Sequence, residues 1–271
     1  MPLELVINAD DLGLHPAIDR GILRCKRDGV LTSTTVLVTG RTAPEAIRAA
    51  NDAGLGIGVH LCLSTSLRPA SSASSIAPGG RFRRSWTEVV IAFARRQVRL
   101  TDVEEELRAQ VALARKLGAK VDHLDGHQHL HALPGVAGIV RRIAREEKLP
   151  IRAPIQRPRT AWVRAPGAAV KASILSALSL ATLRDVPQLD GNGTFEAGML
   201  DEARLVELIR SLPDGRHEIG CHPGEFPGSV EEDPAWQFGW EREVAALTST
   251  RVREALAQRG ARLCTYGELF G

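Results

Sequence analysis

The stretch Leu3-Glu4-Leu5-Val6-Ile7-Asn8-Ala9-Asp10-Asp11 decides how the rest of the chain is read. Leu3 to Ala9 has the composition of a buried strand, and it runs directly into two adjacent carboxylates. A pattern of alternating strands and helices follows. Pro16 to Asp28 reads as a helix with Ile18, Ile22 and Leu23 on one face. Thr32 to Thr39, rich in Thr and Val, reads as a second strand, and Ala43 to Ala53 as a helix. Gly56 to Leu63 is a third strand. Periodicity is then lost from Ser64 to Arg84, inside a less regular insertion at about 64–100.

Thr101-Asp102-Val103-Glu104 has the form of a capping box, followed by Val103, Leu107, Val111 and Ala114 at helical spacing. Val121 to Asp125 reads as a fourth strand, Val136 to Lys148 as a helix and Pro150 to Ala153 as a fifth short strand. An Arg- and Pro-rich stretch, Arg152 to Pro166, precedes a helix of low charge from about Ala168 to Leu183. Asp185 to Gly198 is ambiguous and includes a candidate strand. Glu202 to Ser211 is helical, Glu218 to His222 a strand, Glu241 to Gln258 a helix, and Arg262 to Thr265 a last short strand. The alternation implies an α/β fold of seven or eight mostly parallel strands, open or closed as a barrel. With no linker composition and no internal repeat, residues 1–271 read as one domain.

In such a fold the chemistry gathers where strands end. Asp10 and Asp11 end the first strand, His60 lies near the end of the third, Asp125 and His127 end the fourth, Arg152 the fifth, and His222 the one near Glu218. Each has a plainer reading. Asp10 or Asp11 could cap the next helix. His60, in Gly58-Val59-His60-Leu61, could be a satisfied core residue. His222, held extended before Pro223, could belong to a surface loop. The segment His123-Leu124-Asp125-Gly126-His127-Gln128-His129-Leu130-His131 holds four of the eight histidines, a density that marks metal or acid–base chemistry. His127 and His131 would face together if a helix began there. Together these groups suit one carboxylate and two imidazoles on a divalent metal, a second Asp as general base and a second His as general acid, which is equipment for amide hydrolysis.

Composition narrows the alternatives. A formal net charge of +3 and a single Tyr give no nucleic-acid surface. Cys25, Cys62, Cys221 and Cys264 are too scattered for a disulfide framework and fit a reducing compartment. No apolar run is long enough for a membrane span, and the N-terminus lacks a leader pattern, so a cytoplasmic location is expected.

The Asn8-Ala9-Asp10-Asp11 start, the Thr-Ser-Thr-Thr strand at 32–35, Gly58-Val59-His60-Leu61, the histidine-rich segment 123–131, and His222-Pro223-Gly224-Glu225 stand in the order of the YdjC-type carbohydrate deacetylases, and the chain resembles that family from about residue 3 to Leu269. The group includes chitooligosaccharide deacetylases and hopanoid-biosynthesis deacetylases. The resemblance implies a distorted (β/α) barrel, often a homodimer. It implies one divalent metal (Zn or Mg, with Mn or Co as further candidates) on Asp11, His60 and His127. Asp10 would be the general base, His222 the general acid and Arg152 an orienting group. His123, Asp125, His129 and His131 would support the ligands or touch substrate. The implied substrate is an N-acetylated sugar, free or lipid-linked. Leu12 stands where Phe is more usual, and residues 64–84 and 156–198 match the family least.

The low-charge helix 168–183 reads first as a core helix, with an apolar surface for a lipid-like substrate as its alternative. Arg157, Arg159 and Arg164 lie just before it. Two other functions suit the same residues: a metal-dependent phosphoesterase, which would need more than one metal, and a non-catalytic sugar-binding protein.

Overall fold

The computed structural model describes residues 2–72, 74–155, 166–183, 186–187, 189–193, 197–225 and 238–271. In chain order the elements are β1 (Leu3–Leu12), α1 (Pro16–Asp28), β2 (Ser33–Val36), α2 (Ala43–Asp52), β3 (Gly56–Leu61), α3 (Trp86–Ala94), α4 (Leu100–Lys116), β4 (Val121–Gly126), α5 (Val136–Glu147), α6 (Pro166–Leu183), β5 (Asp190–Asn192), α7 (Glu202–Ser211), β6 (Gly215–Cys221), α8 (Trp240–Leu247), α9 (Thr250–Gln258), β7 (Arg262–Leu263) and α10 (Tyr266–Phe270). The strand order is β4-β3-β2-β1-β6-β5, with every pairing parallel. β7 adds to the start of β1, where Glu4 and Leu5 face Arg262 and Leu263. The sheet curls into a half-barrel wrapped by helices, the distorted barrel expected.

β1 is buried along its whole length, because β6 covers one edge while β2 and β7 share the other. Its apolar residues Leu5, Ile7 and Leu12 join the main core with Ile18 and Ile22 of α1 and Ile47 of α2. Asp19 ties α1 back to the site end of β1. Its Oδ1 accepts from Gly13 N at 2.7 Å and its Oδ2 accepts from Thr42 Oγ1. Burial pushes the Asp19 carboxyl up to about 6, against these hydrogen bonds. A folded-state value above the unfolded one means the contribution is fully present below about pH 4 and is lost as pH rises through 6. Between pH 4 and pH 7 the native chain should therefore lose about 2–3 kcal/mol relative to Asp19→Asn. Denaturant midpoints of the two proteins across that range check this, and parallel pH curves would refute it.

Several boundaries differ from the sequence expectations. The capping box at Thr101 does not form. α4 begins two residues earlier, with Arg99 in the N-cap position, and the Asp102 carboxylate instead binds Arg99 and the Ser75 amide, each at 3.0 Å. A true capping box forms at Thr265 and Glu268 and starts α10. The helix expected over 241–258 is two, because the Ser249 hydroxyl caps α9 by accepting from Arg251 N. The fifth strand at 150–153 reduces to a single bridge between Leu124 and Ile151. Pro150 and Pro154 flank it and have no N–H to extend a ladder. The segment still fills the gap between β4 and β5, since a Cβ on Gly191 would lie 3.3 Å from Ala153 O.

α6 is a surface helix rather than a core helix. Ser179 and Leu183 are buried while Val170, Ile174 and Leu180 are exposed. Arg157, Arg159 and Arg164 lie outside the described residues. Among the described residues, no helix is long and apolar enough to cross a membrane.

Candidate active site

The inside of the curl is polar, and its groups stack in levels because side chains two residues apart on a strand share a face. Across the strands, Asn8 of β1 pairs with Gly220 of β6, and Thr35 of β2 pairs with Gly58 of β3, which pairs with His123 of β4. Asp10 follows Asn8 toward the C-terminal end of β1, and His60 pairs with Asp125 near the ends of β3 and β4. Gly220 lies two residues beyond Glu218 on β6 and shares its face. A Cβ there would stand 2.1 Å from Arg152 NH2, so the glycine makes room for the guanidinium.

Arg152 is the hub. Its NH1 reaches Asp10 Oδ1 at 2.6 Å and Asp125 Oδ2 at 2.8 Å, and its Nε reaches Glu218 Oε1 at 2.5 Å. Asp10 Oδ1 also accepts from Asn8 Nδ2 at 2.9 Å and Thr35 Oγ1 at 3.1 Å. These donors converge on one oxygen. The other, Oδ2, stands 3.6 Å from His222 Nε2.

Asp11 is placed by backbone rather than by alternation. The β1–β2 register shifts between Ala9 and Leu12, and Asp11 takes a left-handed φ of 72°. That irregularity lets two successive carboxylates face one site. Neither caps α1, whose N-cap is His15. Asp11 Oδ1 lies 3.0 Å from His127 Nδ1 and 3.5 Å from His60 Nε2. His60 Nδ1 is 2.9 Å from Asp125 Oδ2, the outer carboxylate that commonly orients a metal-ligating imidazole.

Asp11, His60 and His127 are all buried, and one ligand atom from each falls within 4.8 Å of the others. Asp11 Oδ1 accepts no hydrogen bond although it is buried. An oxygen so placed, facing two imidazoles, fits a divalent cation. The electrostatics agree. Burial works against a charged His60, yet Asp125, Asp10 and Asp11 outweigh it and lift the imidazole to about 9. Burial likewise works against the Asp11 carboxylate, but His127 and His60 bring it below its ordinary value. The carboxylates demand positive charge at this point. Two other trios, Asp125–His129–His131 and Asp10–His60–Asp125, have the right atoms. Each shares Asp125, which already serves Arg152 and His60.

The histidine-rich segment does not make a helical face. After β4, residues His127–Ala132 form a tight turn with positive φ at Gln128 and His129. His127 turns to Asp11, while His131 Nε2 meets Arg152 O at 2.9 Å and helps hold the hub. His123 does not reach the cluster. It packs one level below, bonded to Asp122 at 2.6 Å and stacked on Tyr266 at 4.0 Å. A Cβ on Gly58 would clash with its ring at 2.3 Å.

His222 follows β6 directly. Its backbone N donates to the buried Glu243 Oε2 at 2.5 Å, and its ring meets Phe238 at 4.7 Å. Its side chain is 14% exposed, against 6% or less for Asp10, Asp11, His60 and His127, so it faces the site opening.

Sequence reasoning missed Glu218, Tyr266 and Glu243 as parts of this framework. Tyr266, the sole tyrosine, is buried and donates to Glu218 Oε2 at 2.5 Å. Glu218 follows Arg216 and His217 in β6, so its polar neighbours gave no signal that it faces the site. Glu243 sits in an ordinary amphipathic helix and gave none.

The parallel-stranded half-barrel thus gathers a buried Asp–His–His cluster that could hold a metal at the C-terminal ends of its strands. The chain belongs to the YdjC-like protein family, whose model matches residues 4–258. It is 30% identical to a carbohydrate deacetylase of Geobacillus stearothermophilus, over 100% of this chain and 99% of the relative. It is 33% identical to a carbohydrate deacetylase of Mus musculus, over 98% and 95%. A crystal structure from Enterococcus faecalis V583, of a protein named for cellobiose-phosphate cleavage, superposes with a TM-score of 0.81 at 27% identity, covering 100% of both chains.

Proposed function

We propose that the chain hydrolyses the acetamido group of an N-acetylated sugar, releasing acetate and leaving a free amine. Its relatives' activity supports the reaction. The observation that carries it is the pairing of Asp10 Oδ2 with His222 Nε2 across 3.6 Å, beside the Asp11–His60–His127 cluster. Asp10 takes the proton of the attacking water. Arg152, Asn8 and Thr35 hold its other oxygen, so Oδ2 alone is directed at the reaction. His222, at the site opening, protonates the departing nitrogen. A divalent metal held by Asp11, His60 and His127 would supply Lewis-acid polarisation of the acetyl carbonyl and acidify a bound water. Two imidazoles and one carboxylate suit zinc, and magnesium, manganese and cobalt are the alternatives to compare.

Acetate release from a panel of free and lipid-linked N-acetylated sugars, with metal analysis of the same sample, tests the reading. One metal per chain and acetate release are expected. Two metals per chain without acetate release would return the phosphoesterase. Loss of an outer partner already weakens metal binding about 10–100-fold, so removing a ligand with His60→Ala should weaken it by at least about 100-fold. Unchanged metal content by elemental analysis would remove His60 from the ligand set.

A further inference from the structure

The histidine turn after β4 holds donor atoms that the Asp11–His60–His127 cluster does not use. Asp125, His129 and His131 each offer one ligand atom within 4.8 Å of the others. Arg152 NH1 and His60 Nδ1 both meet Asp125 at Oδ2, at 2.8 and 2.9 Å, so Oδ1 is left over. Among the described residues, Asp125 Oδ1, His129 Nδ1 and His131 Nδ1 are buried and have no hydrogen-bond partner. Asp125 is 0% exposed and His131 2%. His131 Nδ1 stands 4.0 Å from Asp125 Oδ1, too far for a hydrogen bond but within the span of two ligands on one ion.

The chemistry of these atoms complements a cation. His131 Nε2 meets Arg152 O at 2.9 Å, and a carbonyl only accepts, so Nε2 carries the proton and Nδ1 presents its lone pair. Positive φ at Gln128 and His129 folds the turn back, and the His129 and His131 rings lie 6.2 Å apart between centroids. His129 is half-buried, which leaves the trio a side toward solvent. Two imidazoles and one carboxylate suit zinc or a neighbouring transition ion, whereas magnesium prefers oxygen. His60 separates this trio from the first, with Nε2 facing Asp11 Oδ1 at 3.5 Å and Nδ1 facing Asp125.

We propose that Asp125 Oδ1, His129 Nδ1 and His131 Nδ1 form a second, weaker zinc site beside the first. It is weaker because Asp125 shares its charge with Arg152, whereas among the described residues Asp11 meets only His127 and His60. The single ion expected in the chain as purified belongs to Asp11, His60 and His127, and the second binds at higher free zinc. The assignment does not depend on the reaction catalysed.

The test dialyses metal-free chain against graded free zinc and counts bound zinc by elemental analysis, with calorimetric titration of the same preparations. Native chain should bind two zinc ions in two steps, and the second step should persist in excess magnesium. His129→Ala should keep the first step and weaken the second by at least about 100-fold, since loss of even an outer partner costs about 10–100-fold. Saturation of the native chain at one zinc would overturn the proposal and leave a water between the three atoms. That result needs no variant, so it stands even where His129→Ala fails to fold. Two zinc ions held by His129→Ala with unchanged affinities, or displacement of the second ion by magnesium, would overturn it as well.

Discussion

Asp10→Asn is expected to retain its metal and its fold while losing turnover by about 10²–10⁴-fold, the range a positioned general base supplies. The substitution is nearly isosteric. An amide oxygen at the Oδ1 position can still accept from Arg152 NH1, Asn8 Nδ2 and Thr35 Oγ1. Those donors select the orientation, leaving an amide nitrogen where Oδ2 now faces His222 Nε2 at 3.6 Å. A nitrogen there cannot take a proton from water. Arg152 keeps Asp125 and Glu218 as counter-charges, so the buried cation is not abandoned. Steady-state acetate release and elemental analysis of the same preparation check both halves. Normal turnover would remove Asp10 as the base, and loss of metal would make it a ligand.

The largest expected effect on stability is at Arg152. Arg152→Leu removes the cation shared by Asp10, Asp125 and Glu218, all of them buried. Breaking a buried ion pair from one side costs about 3–5 kcal/mol, because a charge is left without compensation. Here three carboxylates are affected, so the upper end of that range or outright failure to fold is expected. Arg152→Lys should recover part of the loss but not all, since an ammonium lacks the planar fork that reaches three carboxylates at once. Urea midpoints of the native and two variant chains measure this. Native-like stability in Arg152→Leu would mean that the carboxylates protonate readily and that the hub is dispensable.

Much of this was legible in the sequence because parallel α/β folds couple pattern to position. An apolar strand announces where it ends, and Asp10, His60, Asp125 and His222 lie at or just past the ends of β1, β3, β4 and β6. The limits of α1 and α7 were readable as well, as Pro16 to Asp28 and Glu202 to Ser211. What was not legible depended on contacts distant in sequence. Tyr266 meets Glu218 across 48 positions, and Arg152, which only the family resemblance assigned to orient Asp10 or the substrate, meets Asp10 across 142. No local period encodes such pairings. The four-residue spacing of His127 and His131 misled for a related reason. It presumes a helix, and the backbone instead turns through positive φ at Gln128 and His129. Thr101 had the right composition for a cap, but Asp102 found a better partner in Arg99.

The left-handed residue at Asp11 has a consequence for how the protein can change. Glycine would adopt that conformation at less cost than aspartate, and asparagine about as readily. Either would also remove a buried negative charge. Replacement at this position is therefore open on stability grounds, yet either residue would strip the cluster of its carboxylate. Pressure for thermal robustness and pressure for turnover pull on codon 11 in opposite directions. A lineage that no longer needed the reaction should lose this residue early, while the rest of the barrel still folds around the place it left.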